Sequence, residues 1–233
     1  MHRFVFTESL SEGATVLLGA DQSHHIAKVI RLEEGEEVAL IDGQGQLAHG
    51  TLVEVRSKAT SVRISKVERS APAHQVRLCF GVSKGQALDF IFHRATELGV
   101  SAFVPLLTQH SSPAKGWNNA RWMQVVAETC KQCEELHFPE VAEPQSLQTF
   151  LQTRDPKRAM VLCDEKAREG EPLPALPRGV DVVVGAEGGF HAAEVELLRN
   201  SGAVLLGLGR NRLRAETAAL VALTLIKKHT REL

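Results

Sequence analysis

Residues 47–55 and 60–67 alternate apolar and polar side chains, the period of strands with one face in a core and one in water, and residues 37–41 read as a further short strand. Asp42-Gly43-Gln44-Gly45 separates the run 37–41 from the run 47–55. It is turn chemistry, because glycine takes positive φ without steric cost. Residues 24–32 fit one short helix or turn. Several short strands joined by turns predict a small β-barrel over residues 1–70, and Ser70-Ala71-Pro72-Ala73 reads as a linker.

From Val76 the period changes. Residues 76–82, 102–107, 159–163, 180–185 and 203–207 are short apolar runs with the look of buried strands. Between them stand helical patterns at 86–98, 118–135, 146–152, 192–200 and 215–229, the first stopped by Gly99. This alternation predicts an α/β domain with a mostly parallel sheet over residues 74–233.

Composition narrows the class. Hydrophobic residues are 43% and charged residues 24%, ordinary for a globular chain and unlike a disordered or fibrous one. No apolar run is long enough to cross a bilayer, and the first residues lack the apolar core of a signal peptide, so a cytoplasmic protein is expected, with no membrane partner. Cys79 and Cys163 lie in apolar runs as small buried hydrophobes. Cys130 and Cys133 form a lone CxxC in a helical pattern, and with no second half-site no metal is expected. The net charge of −1 counts mildly against nucleic acid, but local patches matter more than the sum. Two stretches are basic: Arg56, Lys58, Arg63, Lys66 and Arg69, then Arg210, Arg212 and Arg214. Either can equally be a solvated face.

Three segments follow expected strand ends, where ligands of open α/β sheets collect. They are Leu162-Cys163-Asp164-Glu165, residues 184–190 (VGAEGGF) and residues 206–217 (LGLGRNRLRAET). Glycines 185, 188 and 189 let the backbone approach a flat ligand, and helix starts near Ala192 and Ala215 offer free N–H groups. A nucleotide and S-adenosylmethionine fit that description equally. Neither G-x-G-x-x-G nor a P-loop pattern occurs, which weighs against dinucleotide and P-loop readings. Singly, each glycine is also what a strand end needs.

Together, GAEGGF and the following LGLGRNRLRAETAA resemble the C-terminal signature of the RsmE family. That family methylates N3 of uracil(1498) in 16S ribosomal RNA and belongs to the SPOUT class of knotted methyltransferases. The resemblance runs through Arg3-Phe4, His25 to Arg31, Asp42-Gly43, Lys84-Gly85, Thr96 to Val100, Pro105, Arg121-Trp122, Glu128 to Cys133 and Pro139. It implies a PUA-like RNA-binding barrel followed by a SPOUT-type trefoil-knotted α/β domain. It also implies S-adenosyl-L-methionine as cofactor, a homodimer, and 16S rRNA as partner within the small ribosomal subunit. The implied cofactor contacts are Leu162, Gly185, Glu187, Gly188, Gly189, Leu206, Gly207, Leu213 and Thr217. The implied RNA contacts are Arg3, Arg31, Lys84 and Arg121, although such cations also serve as plain surface residues. The chain departs from the family at Ala186, where proline is usual, and at His110 and Glu135, where arginine is usual. Glu135 would repel phosphate.

Methylation of uracil N3 requires the N3 proton to leave, and the negative charge spreads onto O2 and O4. A useful site offers a proton acceptor and a cation or N–H donors near those oxygens. Arg214 at the start of the last helix is the candidate for the oxyanion or a phosphate; pairing with Glu216 at the helix end is its plain alternative. Glu187 is the candidate that orients the loop or accepts the proton, and capping of the following helix is an equal reading. Two competing functions stand beside the main one. One is methylation of another RNA target, such as a transfer RNA ribose 2′-hydroxyl. The other is a non-catalytic RNA-binding assembly factor, against which the intact GAEGG and LRAET segments argue.

Overall fold

The computed structural model describes residues 1–72, 75–164 and 171–232; Ala73 of the expected linker and Glu165 of the first strand-end segment lie outside the described residues. The chain divides into two compact units, Met1–Pro72 with Cys130–Phe138, and Ala73–Thr129 with Pro139–Leu233.

The first unit holds β1 (His2–Val5), β2 (Thr15–Leu18), β3 (Glu37–Ile41), β4 (Gln46–Arg56) and β5 (Ala59–Arg69) in one sheet of order β1-β3-β4-β5-β2. β1 runs parallel to β3 and the other neighbours are antiparallel. The alternation read from the sequence places Ala48, Leu52, Val62 and Ile64 on the buried face, where Phe4, Leu18, Ile26 and Leu40 join them. Register shifts at His49/Gly50 and Leu52/Glu54 interrupt the ladder, as bulges do where a strand must bend. The helical stretch is α1 (Ala20–His24) running into a π-helical turn, His25–Ile30, closed by Arg31 at a left-handed φ of 62°. The sequence pattern held no sign of β1 and β2. Each has four residues, too few for alternation to stand out, and Leu17 of β2 is 63% exposed.

The second unit is an α/β layer structure. Its strands are β6 (Gln75–Gly81), β7 (Ala102–Leu107), β8 (Glu140–Val141), β9 (Gln145–Ser146), β10 (Ala159–Cys163), β11 (Gly179–Val184) and β12 (Val204–Leu205). They form one parallel sheet of order β12-β10-β11-β6-β7-β8, with β9 also on β7. Its helices are α2 (Gln86–Glu97), α3 (Asn119–Cys133, whose residues from Cys130 belong to the first unit), α4 (Leu147–Thr153), α5 (Ala192–Asn200) and α6 (Ala215–His229). The sheet is buried on both faces, which is why its strands read as continuous apolar runs rather than alternations. Ser146 caps α4 by accepting from the Thr149 N–H at 3.0 Å. α6 packs along α2 and over β6 and β11. β12 is shorter than the run 203–207 suggested, because Leu206 already leaves the sheet, holding it only through a bond from its N–H to the Leu162 carbonyl at 2.9 Å.

The four cysteines are free thiols. Among the described residues no group of three or more His, Cys, Asp or Glu side chains is placed to hold a metal ion, and no helix is long and apolar enough to cross a membrane.

Candidate functional site

β11 lies between β10 and β6, strands distant from each other in sequence. The chain leaves β6 toward β7 on one side and β11 toward β12 on the other, and such a reversal opens a crevice at the carboxyl ends of the strands. A cleft lies there, walled by Cys163 and Asp164 after β10, residues 184–187 and Gly189 after β11, and the 208–213 loop with Ala215 and Ala218 of α6.

The turn after β11 is built on backbone. Gly189 N–H donates to the Ala186 carbonyl at 2.8 Å, with Gly189 at a left-handed φ of 69°. A Cβ on Gly185 would come within 2.9 Å of the Gly189 backbone, so only glycine closes this turn. Ala186 in turn sits against Gly81 at the end of β6, where any Cβ would collide with the Ala186 nitrogen. The cleft therefore offers peptide groups from two loops, apolar contact from Val184, Leu208 and Leu213, and polar side chains from Asp164, Glu187, Asn211 and Arg212. Burial pushes the Cys163 thiol up to about 12, so it is no thiolate at neutral pH and takes no proton.

Glu187, Arg212, Leu213 and Ala215 also line a second, open groove that continues past the cleft to Arg214, Glu216, Thr217 and Phe90. Glu187 is exposed. It does not cap α5: His191 does, with Glu194 completing the capping box by accepting from the His191 N–H at 2.8 Å. Glu187 is thus left for the cleft and the groove. Arg214 occupies the N-cap position of α6 but makes no side-chain capping bond; its guanidinium stands 4.0 Å from the Glu216 carboxylate.

Of the cofactor residues expected from the sequence, Gly185, Glu187, Gly189 and Leu213 line the cleft. Leu162 and Leu206 lie behind it, joined by their backbone hydrogen bond. Gly188 points elsewhere, since a Cβ there would meet His110 at 2.8 Å. Gly207 is half-buried beside the cleft loop, and Thr217 lies in the groove. The sequence pattern did not single out Asp164, Asn211, Leu208 or Ala218, and it marked Arg212 only as part of a basic stretch. All sit within or just beyond the three strand-end segments, the one signal that pointed to them.

The expected RNA residues divide between the two units, Arg3 and Arg31 in the first and Lys84 and Arg121 in the second. Arg3 is mostly buried and pairs with Glu134 at 3.0 Å. Arg31 is exposed at its left-handed turn. Lys84 and Arg121 line a third cavity, with Arg121 bonded to Asp89. Within the basic stretch of the first unit, Arg56 pairs with Glu54 and Lys66 with Glu68, while Lys58, Arg63 and Arg69 are exposed. Glu135 turns inward to accept from the His137 backbone N–H at 2.8 Å.

Comparison with known proteins gives two family matches, an RNA methyltransferase domain over residues 69–227 and an RNA methyltransferase PUA domain over residues 18–65. The chain is 30% identical to the ribosomal RNA small subunit methyltransferase E of Bacillus subtilis, over 96% of this chain and 93% of that protein. It is 30% identical to the protein of that name from Synechocystis, over 91% and 73%. A Legionella pneumophila protein named as a methyltransferase and solved with bound SAM superposes with a TM-score of 0.86 at 26% identity, covering 97% of this chain and 96% of that one. The Neisseria gonorrhoeae ribosomal RNA small subunit methyltransferase E, solved with S-adenosyl methionine, shares the fold at a TM-score of 0.91 and 24% identity, over 98% and 97%.

Proposed function

Because the chain belongs to the RNA methyltransferase family, we propose that it transfers a methyl group from S-adenosylmethionine to N3 of a uracil in 16S ribosomal RNA, the position being uracil(1498). The observation that carries this is the continuity of two cavities. A backbone-walled cleft at the sheet's carboxyl edge opens, through Glu187, Arg212, Leu213 and Ala215, into a groove with room for a base.

The cleft fits the cofactor. Gly185 and Gly189 pack so closely that no side chain enters between them, so the turn presents backbone to a nucleoside. Leu208 and Leu213 offer apolar walls for an adenine, and Asp164 and Asn211 offer partners for ribose or amino groups. S-adenosylmethionine supplies an electrophilic methyl on a sulfonium. In the proposed roles, Arg214 and the first N–H groups of α6 face the uracil oxygens as N3 loses its proton, and Glu187 stands on the wall shared by both cavities, as proton acceptor or loop anchor. Leu162, Leu206 and Gly207 hold the loops in place. Gly188 acts through His110, and Thr217 acts from the groove. Arg31, Lys84 and Arg121 remain the candidates for RNA phosphate, with Arg3 positioned by Glu134.

Residues 1–70 serve as the PUA-like RNA-binding domain and residues 74–233 as the SPOUT-type domain, with the trefoil knot that the family resemblance implies. The protein works in the cytoplasm as a homodimer and meets its rRNA in the small ribosomal subunit. Titration calorimetry should show S-adenosylmethionine binding, and purified protein should transfer labelled methyl to 16S rRNA that lacks the modification. Binding without transfer to any RNA would leave only an RNA-binding factor.

A further inference from the structure

Both tryptophans of the chain, Trp117 and Trp122, line one cavity of about 370 Å³ that the methyl-transfer chemistry does not use. Lys84, Lys115 and Arg121 line it too, and no carboxylate does among the described residues. Trp122 stacks on Phe92, with ring centroids 4.3 Å apart and planes 8° from parallel, and the Arg121 guanidinium lies 4.4 Å over the Trp122 ring. Trp117 is half-buried and held by its indole N–H to Asn119 at 2.9 Å. Asp89 of α2, outside the lining, bonds the Arg121 guanidinium, so Lys84 and Lys115 are the cations offered to a ligand. Lys84 and Lys115 are exposed.

The cavity is tied to the cofactor cleft by two contacts. Its wall begins at Val82, one residue past Gly81, which abuts Ala186 of the cofactor turn. The loop after β7 passes His110 against Gly188 and then donates the Ser112 N–H to the Val82 carbonyl at 2.7 Å. A rigid aromatic floor with cations at its rim matches one unpaired nucleotide. Its base has a π-face that stacks without regard to sequence, and its phosphate seeks ammonium groups. A small acidic metabolite would use the cations but leave the tryptophans idle.

We propose that this cavity is a second RNA subsite, holding a single-stranded nucleotide that flanks the methylated uridine, with its base on Trp117 and its phosphate between Lys84 and Lys115. The assignment rests on the RNA-methyltransferase reading above, and the experiment separates the two.

Since both tryptophans are in the cavity, intrinsic fluorescence reports on it alone. Titration of the full-length protein with a labelled oligouridylate should quench tryptophan emission in step with the anisotropy of the label, while S-adenosylmethionine alone leaves emission unchanged. Lys115→Glu, an exposed surface change, should weaken RNA binding about tenfold and flatten its salt dependence by about 0.7 in slope for each phosphate that is no longer neutralised. With 16S rRNA as substrate it should raise KM and leave both kcat and cofactor affinity in place. Methyl transfer by the wild type, with unmoved tryptophan emission on RNA binding and an unchanged KM for Lys115→Glu, would overturn the subsite and leave the enzyme reading standing. Quenching by RNA with no methyl transfer would overturn the enzyme reading, and with it the flanking role, and leave the cavity as a nucleotide site of an RNA-binding protein. No RNA binding at all would overturn both.

Discussion

Arg214 heads α6 with a side chain 87% exposed and no capping bond, so its removal should cost the fold little. Arg214→Ala is expected to keep its melting temperature and its cofactor affinity while single-turnover methyl transfer slows about 100- to 1000-fold, the usual cost of one donor to a developing oxyanion. An unchanged single-turnover rate removes Arg214 from the chemistry and moves attention to Glu187. Gly81 makes a different claim. A methyl group there collides with the Ala186 nitrogen, so Gly81→Ala should displace the cofactor turn, weaken S-adenosylmethionine binding in calorimetry, and lower stability by about 1–3 kcal/mol, the range for overpacking. Of these residues, the sequence showed Glu187 and Arg214, because their motifs are contiguous. Gly81 carried no such sign, since its constraint comes from Ala186, far along the chain. Gly188 looked like its neighbours Gly185 and Gly189 in the sequence, and only the path of the β7 loop shows that it faces His110.

Among the elements, β11 hides the feature that the apolar pattern concealed most fully. Asp181 stands in a run of valines and is fully buried, yet three arginines surround it. Arg77 from β6 takes both carboxylate oxygens, at 2.7 and 2.9 Å, Arg158 takes one at 2.7 Å, and Arg154 approaches to 3.4 Å. Burial alone would raise the Asp181 pKa; the Arg77 and Arg158 hydrogen bonds and charges outweigh it and hold the carboxyl below its ordinary range. A group depressed in this way stabilises the fold above its unfolded pKa of about 3.9, and that stability is lost as pH falls through the folded value. Unfolding monitored against pH should therefore show this contribution intact at neutrality and lost only in acid below about pH 4. Asp181→Asn should cost about 3–5 kcal/mol at pH 7, because it strands buried guanidinium groups; a neutral outcome in denaturant melts would remove the cluster from the account of stability. Elements long enough to show a period, such as α2, α5, α6, β4 and β5, were legible within a residue or two. The two-residue strands β8 and β9 were not, because only their neighbour β7 makes them strands.

For the whole molecule, the sequence pattern separated an N-terminal run of short strands from a C-terminal α/β region, but it could not show that Cys130–Phe138 groups with the first unit. That grouping rests on tertiary contacts such as the Phe138 N–H bonded to the Gly43 carbonyl at 2.9 Å. The apolar face of α6 is not used up within the chain: Leu225 remains 38% exposed, and Phe90 of the adjoining α2 remains 43% exposed. Burial of Leu225 between two copies is the proposed dimer contact, with Phe90 left to the groove. Sedimentation at micromolar concentration should give twice the chain mass, with Leu225→Lys shifting it toward monomer; a fully active wild-type monomer would contradict the dimer. The central claim is the reaction itself, and mass mapping of 16S rRNA nucleosides from cells with and without the gene tests it most directly. N3-methyluridine at position 1498 should be present with the gene and absent without it, and its persistence in cells lacking the gene would contradict the account.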